Sequence, residues 1–241
     1  MNQPLSIAHR GYSSKYPENT LTAHAEAMRA GTDMVEADTR FSKDGDIFCL
    51  HDPDLKRLTG DSRMVADCTT SELREIRLGE DEGLMTLPEL LELVNGQNGI
   101  MLDIKLQDDP MTFALLDCVM ATGQMANTWF GVRSYDQLCA ARKMAPAAQC
   151  LAMLSDYSEA EDWIEAGACA VRIWESEFTR ELEDRLAPKI PIWVTVGGRG
   201  TPDLTGDIPL ERLRHLAARQ VTAVLLNNPT LTDQLVPEPA L

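Results

Sequence analysis

Seven residues in this 241-residue chain have the types and spacing to handle a phosphate ester: His9, Arg10, Glu36, Asp38, His51, Asp103 and Lys105. Glu36 and Asp38 stand two apart in an apolar, β-rich run, so both side chains leave the same face of a strand. Asp103 and Lys105 repeat that spacing further on. Three carboxylates converging in one interior repel one another unless a cation or protons intervene. An all-oxygen donor set of this kind suits Mg²⁺ or Ca²⁺, with Mn²⁺ also accommodated, better than zinc. His9 and His51 supply imidazoles that titrate near about pH 6.5 when free, so one can take a proton while the other gives one. Arg10 offers phosphate oxygens a planar fork and Lys105 a point charge.

The elements that must position these groups follow a simple rhythm. Apolar runs at Leu5–Ala8, Met34–Phe41, Ile100–Ile104, Thr128–Val132, Gln149–Leu154, Ala170–Ile173, Ile190–Val196 and Ala223–Leu226 alternate with helical segments. That alternation predicts a parallel sheet closed into a TIM-type (β/α)8 barrel. In such a barrel the functional side chains gather at the carboxyl ends of the strands. His9-Arg10-Gly11 ends the first run, Glu36 and Asp38 lie in the second, and Asp103 and Lys105 close the third. The first helix is expected to start at Pro17-Glu18-Asn19-Thr20, with Asn19 as its N-cap, and to stop at Gly31. Helices are also expected over 109–121, 135–144, 158–166, 179–186 and 210–219.

One unit is longer than the others. After the second strand the chain turns at Lys43-Asp44-Gly45-Asp46, runs back through Ile47–His51, and reaches Ile100 only after a small insertion at approximately residues 52–98. With no Pro/Gly/Ser-rich linker, residues 1–241 read as a single barrel domain. The Pro237-Glu238-Pro239 tail is expected to fray.

Each motif alone has a plainer reading: His-Arg-Gly as a strand end with a turn glycine, Glu-x-Asp as a solvated face, Asp103 with Lys105 as a structural ion pair. Their joint occurrence at consecutive strand ends is what points to phosphoryl chemistry. His24 and His215 fall in helices without carboxylate partners and read as packing or surface residues. Gly197-Gly198-Arg199-Gly200 reads first as a glycine-rich turn and second as a phosphate loop.

Composition narrows the partners. A formal charge of −16 argues against nucleic acid and against an anionic membrane surface. A small anionic substrate is still compatible, because local cations can invert the potential inside one pocket. The six cysteines form no CxxC pair and read as reduced core thiols. Without a signal-like start or an apolar run of about 18 residues, the expected location is cytoplasmic, with no membrane insertion, as a monomer or homodimer.

In this order the residues resemble the glycerophosphodiester phosphodiesterase family. Its marks are His9-Arg10-Gly11 followed by Pro17-Glu18-Asn19-Thr20, then Glu36-x-Asp38, Lys43-Asp44-Gly45 and His51-Asp52, and then Leu55-x-Arg57-x-Thr59-Gly60 and Thr86-Leu87-Pro88-Glu89-Leu90. The resemblance is carried by residues 7–105. It implies a TIM-type barrel that hydrolyses glycerophosphodiesters to sn-glycerol 3-phosphate and an alcohol with one divalent cation. It puts Glu36, Asp38 and Asp103 at the metal-ligand positions, His9 and His51 at the acid/base positions, and Arg10 and Lys105 beside the phosphate. The expected substrates are diesters such as glycerophosphocholine or glycerophosphoethanolamine.

Three departures stand out. Asp103 replaces a family Glu, Val194-Thr195-Val196-Gly197 replaces Trp-Thr-Val-Asn, and Leu226-Asn227-Asn228-Pro229 replaces Thr-Asp-x-Pro. They make room for a differently shaped site lined by Trp193 or Trp174, and for two alternatives. One keeps the chemistry on a sugar phosphodiester or lysophospholipid; the other is a non-catalytic barrel that binds phosphate and metal.

Overall fold

A computed structural model of the chain describes residues 3–78, 82–106 and 109–235, so the Pro237-Glu238-Pro239 tail lies outside the described residues. Its strands are β1 (Leu5–His9), β2 (Met34–Phe41), β3 (Ile47–Cys49), β4 (Gly99–Ile104), β5 (Thr128–Val132), β6 (Gln149–Ala152), β7 (Ala170–Trp174), β8 (Ile192–Thr195) and β9 (Ala223–Leu226). All except β3 pair in parallel around a closed ring, β1-β2-β4-β5-β6-β7-β8-β9, with β9 returning to β1. This is the expected TIM barrel, and its eight strands are the eight apolar runs. β3 is the return of the Lys43–Asp46 turn, paired antiparallel to the end of β2.

The barrel strands are apolar on both faces because both are covered. Outward side chains such as Val35, Ala37, Ile100, Leu102 and Phe130 are buried beneath the helices. Inward ones, Ile7, Met34, Met101, Leu151, Met153, Ala170, Trp193, Ala223 and Leu225, plug the barrel floor. Trp193 packs at a tilt against Trp129 there, with ring centroids 4.6 Å apart, and so serves the floor and not the site.

The helices are α1 (Leu21–Arg29), α2 (Lys56–Thr59), α3 (Thr70–Arg74), α4 (Leu87–Val94), α5 (Asp109–Ala121), α6 (Tyr135–Met144), α7 (Ala160–Glu165), α8 (Arg180–Leu186) and α9 (Leu210–Ala217). The cap of α1 is Thr20, whose Oγ1 accepts from the Ala23 N–H, and not the expected Asn19. Asn19 is instead buried in a left-handed conformation, φ 54°, with its amide turned to the barrel mouth. Gly11 ends the first strand unit at φ 80°, where a Cβ would lie 2.6 Å from the Ala23 carbonyl carbon; only glycine lets β1 turn this close to α1.

Between β2 and α4 the chain builds a second small core from Phe48, Leu50, Leu55, Val65 and Leu73, which seats the segment carrying His51. α4, inside the span expected as insertion, packs against α1 and α5 in the ring of barrel helices. Among the cysteines Cys49, Cys68 and Cys150 are buried, but Cys139 is exposed on α6, so the reading of all six as core thiols fails there.

His24 is wholly buried on α1, and neither ring nitrogen has a hydrogen-bond partner among the described residues. Burial lowers its pKa from 6.5 to about 3. The unfolded chain therefore takes up this proton first, and the contribution of His24 to stability is complete above pH 6.5 and lost as the pH falls toward 3. At pH 5 the loss is about 2 kcal/mol. Urea denaturation of His24→Leu should show a stability loss between pH 7.5 and 5 smaller than wild type by that amount. Equal losses would show that His24 is not held neutral.

Candidate active site

The parity of the barrel strands brings the expected residues together. Glu36 lies beside His9 across the β1–β2 pair, and Asp38 lies beside Asp103 across β2–β4. His9, Arg10, Glu36, His51, Asp103 and Lys105 line one cavity of about 520 Å³ at the carboxyl-terminal mouth, with Asp38 buried beside it against Arg10 and Lys105. Carboxylate oxygens of Glu36, Asp38 and Asp103 come within 4.8 Å of one another.

Arg10 has a left-handed backbone, φ 57°. That turn points its N–H at Glu36 Oε2, 2.8 Å away, and swings its guanidinium over Asp38, with Nε 3.1 Å from Oδ2. Asn19 Nδ2 donates to Asp38 Oδ2 at 3.0 Å. Lys105 Nζ sits 2.7 Å from Asp38 Oδ1 and 2.6 Å from Asp103 Oδ2. Arg133, the residue after β5, forks onto both oxygens of Asp103 at 2.7 Å.

The charges are divided unevenly. Burial works against ionisation of all three acids, but Lys105, Arg10 and the histidines hold Asp38 well below the usual carboxylate range, and Lys105 and Arg133 lower Asp103. Glu36 is pushed well above its ordinary value by burial and by the negative charges of Asp38 and Asp103. Glu36, an acid that resists ionisation, stands beside Asp38 and Asp103 in an all-oxygen donor set, and that set fits a hard divalent cation.

The two histidines are held differently. His9 is buried, with Nδ1 2.7 Å from Asn227 Oδ1. Asn227 Nδ2 donates to the Thr205 carbonyl and Asp207 Oδ1, so its Oδ1 must accept; His9 carries its proton on Nδ1 and leaves Nε2 with a lone pair. Burial and the neighbouring Arg10 lower the His9 pKa to about 4. His51 sits at the rim with Nδ1 2.7 Å from Asp52 Oδ1, and Arg40 on β2 clamps its carbonyl. A chain of charges then links the pair: Asp52 to Arg57 at 2.5 Å, Arg57 to Glu18 at 2.7 Å, and Glu18 to Arg10 at 3.0 Å.

Asn19, Arg133, Asn227 and Arg172 were absent from the expected set. Arg133 and Arg172 follow the same strand-end and inward-parity rule that selected Asp103. Trp174 lines the mouth, as one of the two expected tryptophans. The Gly197–Gly200 turn spends its N–H groups internally, Gly197 on Glu175 and Gly198 on the Asp203 carbonyl, while Arg199 pairs with Glu177.

Fold and site thus define a TIM-barrel protein whose mouth holds three clustered acids that could take a cation, two histidines and a shell of basic side chains. Residues 9–184 match the glycerophosphoryl diester phosphodiesterase family, and the chain belongs to that family. A glycerophosphodiester phosphodiesterase of Bacillus altitudinis is 37% identical over 109 residues, 42% of this chain and 44% of that one, so the match spans under half of that relative. The Thermotoga maritima glycerophosphodiester phosphodiesterase superposes with a TM-score of 0.78 at 26% identity, over 98% of this chain and 100% of that one. An Oleispira antarctica phosphodiesterase, solved with its product sn-glycerol-3-phosphate, superposes with a TM-score of 0.83 at 22% identity, over 97% and 96%.

Proposed function

We propose that the chain hydrolyses glycerophosphodiesters to sn-glycerol 3-phosphate and an alcohol, with one divalent cation held by Glu36, Asp38 and Asp103. The observation that carries this reading is the convergence of those carboxylates with His9 and His51 at one barrel mouth, in a chain of this family. Mg²⁺, Ca²⁺ or Mn²⁺ bound there would supply Lewis-acid polarisation of the phosphate.

The side chains divide the remaining work. His9 Nε2, unprotonated at neutral pH, takes the proton of the attacking hydroxyl, which belongs to water or to the substrate's glycerol; in the second case a cyclic phosphate forms first and water then opens it to glycerol 3-phosphate. As the new O–P bond forms and the bond to the alcohol breaks, His51, hydrogen-bonded to Asp52, gives a proton to the departing alkoxide. Arg10 and Lys105 bind phosphate oxygens. The six cysteines, unpaired in the fold, support a reducing, cytoplasmic setting, and no helix among the described residues is long and apolar enough to cross a membrane.

Asn227 acts through His9 by fixing its tautomer. Asn227→Ala is expected to lower kcat by about 10- to 100-fold with KM nearly unchanged, and equal losses in both parameters would contradict a positioning role. The direct test of the activity is glycerol 3-phosphate release from glycerophosphoglycerol and glycerophosphocholine, in chelator and then in Mg²⁺, Mn²⁺ or Ca²⁺. Release that depends on the cation is the expected result. Release undiminished by chelator would overturn the role of the cluster.

A further inference from the structure

Four cations line the mouth: Arg10, Lys105, Arg133 and Arg172. The first three are each tied to a carboxylate within 3.1 Å. Arg172 has no such tie among the described residues. It is 94% buried, the complement of its 6% exposure, and its Nε and Nη1 find no hydrogen-bond partner. The neighbouring Tyr157 hydroxyl is spent, donating to Glu177 and accepting from the Trp174 N–H. The guanidinium lies over the Trp174 ring, 4.6 Å away, and feels Asp103 and Glu177 only at a distance, with an ion pair to neither. A buried, unpaired guanidinium is costly, and native structures keep one where a partner arrives from outside.

Its place in the barrel says which part of a ligand that partner is. Counting round the ring from β2 through β4, β5 and β6 reaches β7, half-way round, so Arg172 stands across the mouth from Glu36 and Asp38. A diester whose phosphorus lies at the carboxylate cluster, beside Arg10 and Lys105, projects one of its two alcohol groups toward Arg172. The face of Trp174 that could hold a quaternary ammonium already holds that guanidinium, and a cationic headgroup would meet like charge.

We propose that Arg172, backed by Trp174, is a specificity determinant that selects diesters whose alcohol group carries a second anion, a phosphate monoester above all, over those with a cationic headgroup. This rests on the glycerophosphodiesterase reading and narrows its substrate class.

Glycerophosphoglycerol and the same diester bearing a phosphate monoester on its second glycerol form a matched pair, with glycerophosphocholine as the cationic control. Turnover is followed by phosphorus NMR of the diester resonance. Wild type is expected to favour the phosphate-bearing diester by about 10- to 100-fold in kcat/KM, the size of one charged hydrogen bond, with glycerophosphocholine poorest. Arg172→Met should erase the preference yet keep glycerophosphoglycerol within about threefold of wild type, and Arg172→Lys should restore part of it. No preference in wild type, or an equal loss on all three substrates in Arg172→Met, overturns the proposal. Should wild type hydrolyse none of them, the hydrolase reading fails. Binding of the matched pair, titrated by tryptophan fluorescence in wild type and Arg172→Met, then decides the anion site alone. Tighter binding of the phosphate-bearing compound by wild type only sustains it, and equal binding overturns it.

Discussion

Alanine at His9 or at His51 should lower kcat by about 10²–10⁴-fold, the usual effect of losing one acid/base group, and lower kcat/KM by a similar factor. The surrounding contacts make both variants clean. Without His9, Asn227 Oδ1 keeps the Ser13 hydroxyl 3.0 Å away, whose one hydrogen it shares with the residue 9 carbonyl at 2.7 Å, and its Nδ2 keeps Thr205 and Asp207. Without His51, Asp52 keeps Arg57. Neither ring is part of the apolar floor, so thermal unfolding should stay close to wild type and the loss can be read as chemistry. The substitutions separate the two roles as well. A substrate with an acidic leaving alcohol needs no proton on departure, so it should rescue His51→Ala and leave His9→Ala slow. Unchanged turnover in either variant, or equal rescue of both, would sink the assignment.

The double change Glu36→Gln with Asp38→Asn should cost more than about 10³-fold in activity and remove the response to divalent cations, since several kcal/mol of transition-state stabilisation depend on the bound ion. The second readout needs no substrate. Cation at a hundredfold its dissociation constant stabilises wild type by about 2.7 kcal/mol, which raises Tm by about 5–10 °C for a chain of this size. The double variant should show no such rise. Glu36→Gln alone tests the electrostatics. In chelator, Glu36 keeps its proton in the fold above the 4.5 of a free side chain, so its burial destabilises the protein increasingly as the pH rises past that value. Glutamine removes the penalty, so this variant should gain on wild type between pH 4.5 and 7. A cation-induced Tm rise that survives in the double variant would place the ion elsewhere.

Much of this site is legible in the chain because strand geometry is periodic. Glu36 and Asp38, or Asp103 and Lys105, share a face whenever they share a strand, and the parallel register then sets Asp38 beside Asp103. The same logic could have reached Arg133 and Arg172, whose parity and strand ends are visible in the sequence. In the sequence alone, an arginine on a strand looks the same as a solvated surface group until the barrel closes around it. Asn19 shows a different limit. Its type and position made it a good N-cap, but Thr20 takes that role and frees the Asn19 amide for Asp38.

The sequence by itself determined the barrel, through the alternation of apolar strands with helices, and the chemical character of its mouth, through the types of residue at the first strand ends. Both follow from local periodicity, which needs no knowledge of what lies across the molecule. Long-range packing alone sets His9 against Asn227, 218 positions away, ties the two histidine arms together through Arg57 and Glu18, and leaves Arg172 Nε and Nη1 without a hydrogen-bond partner among the described residues. Those outcomes depend on ring closure, which sets residues far apart in the chain a few ångströms apart and decides which buried charges are answered from within the protein and which await a ligand.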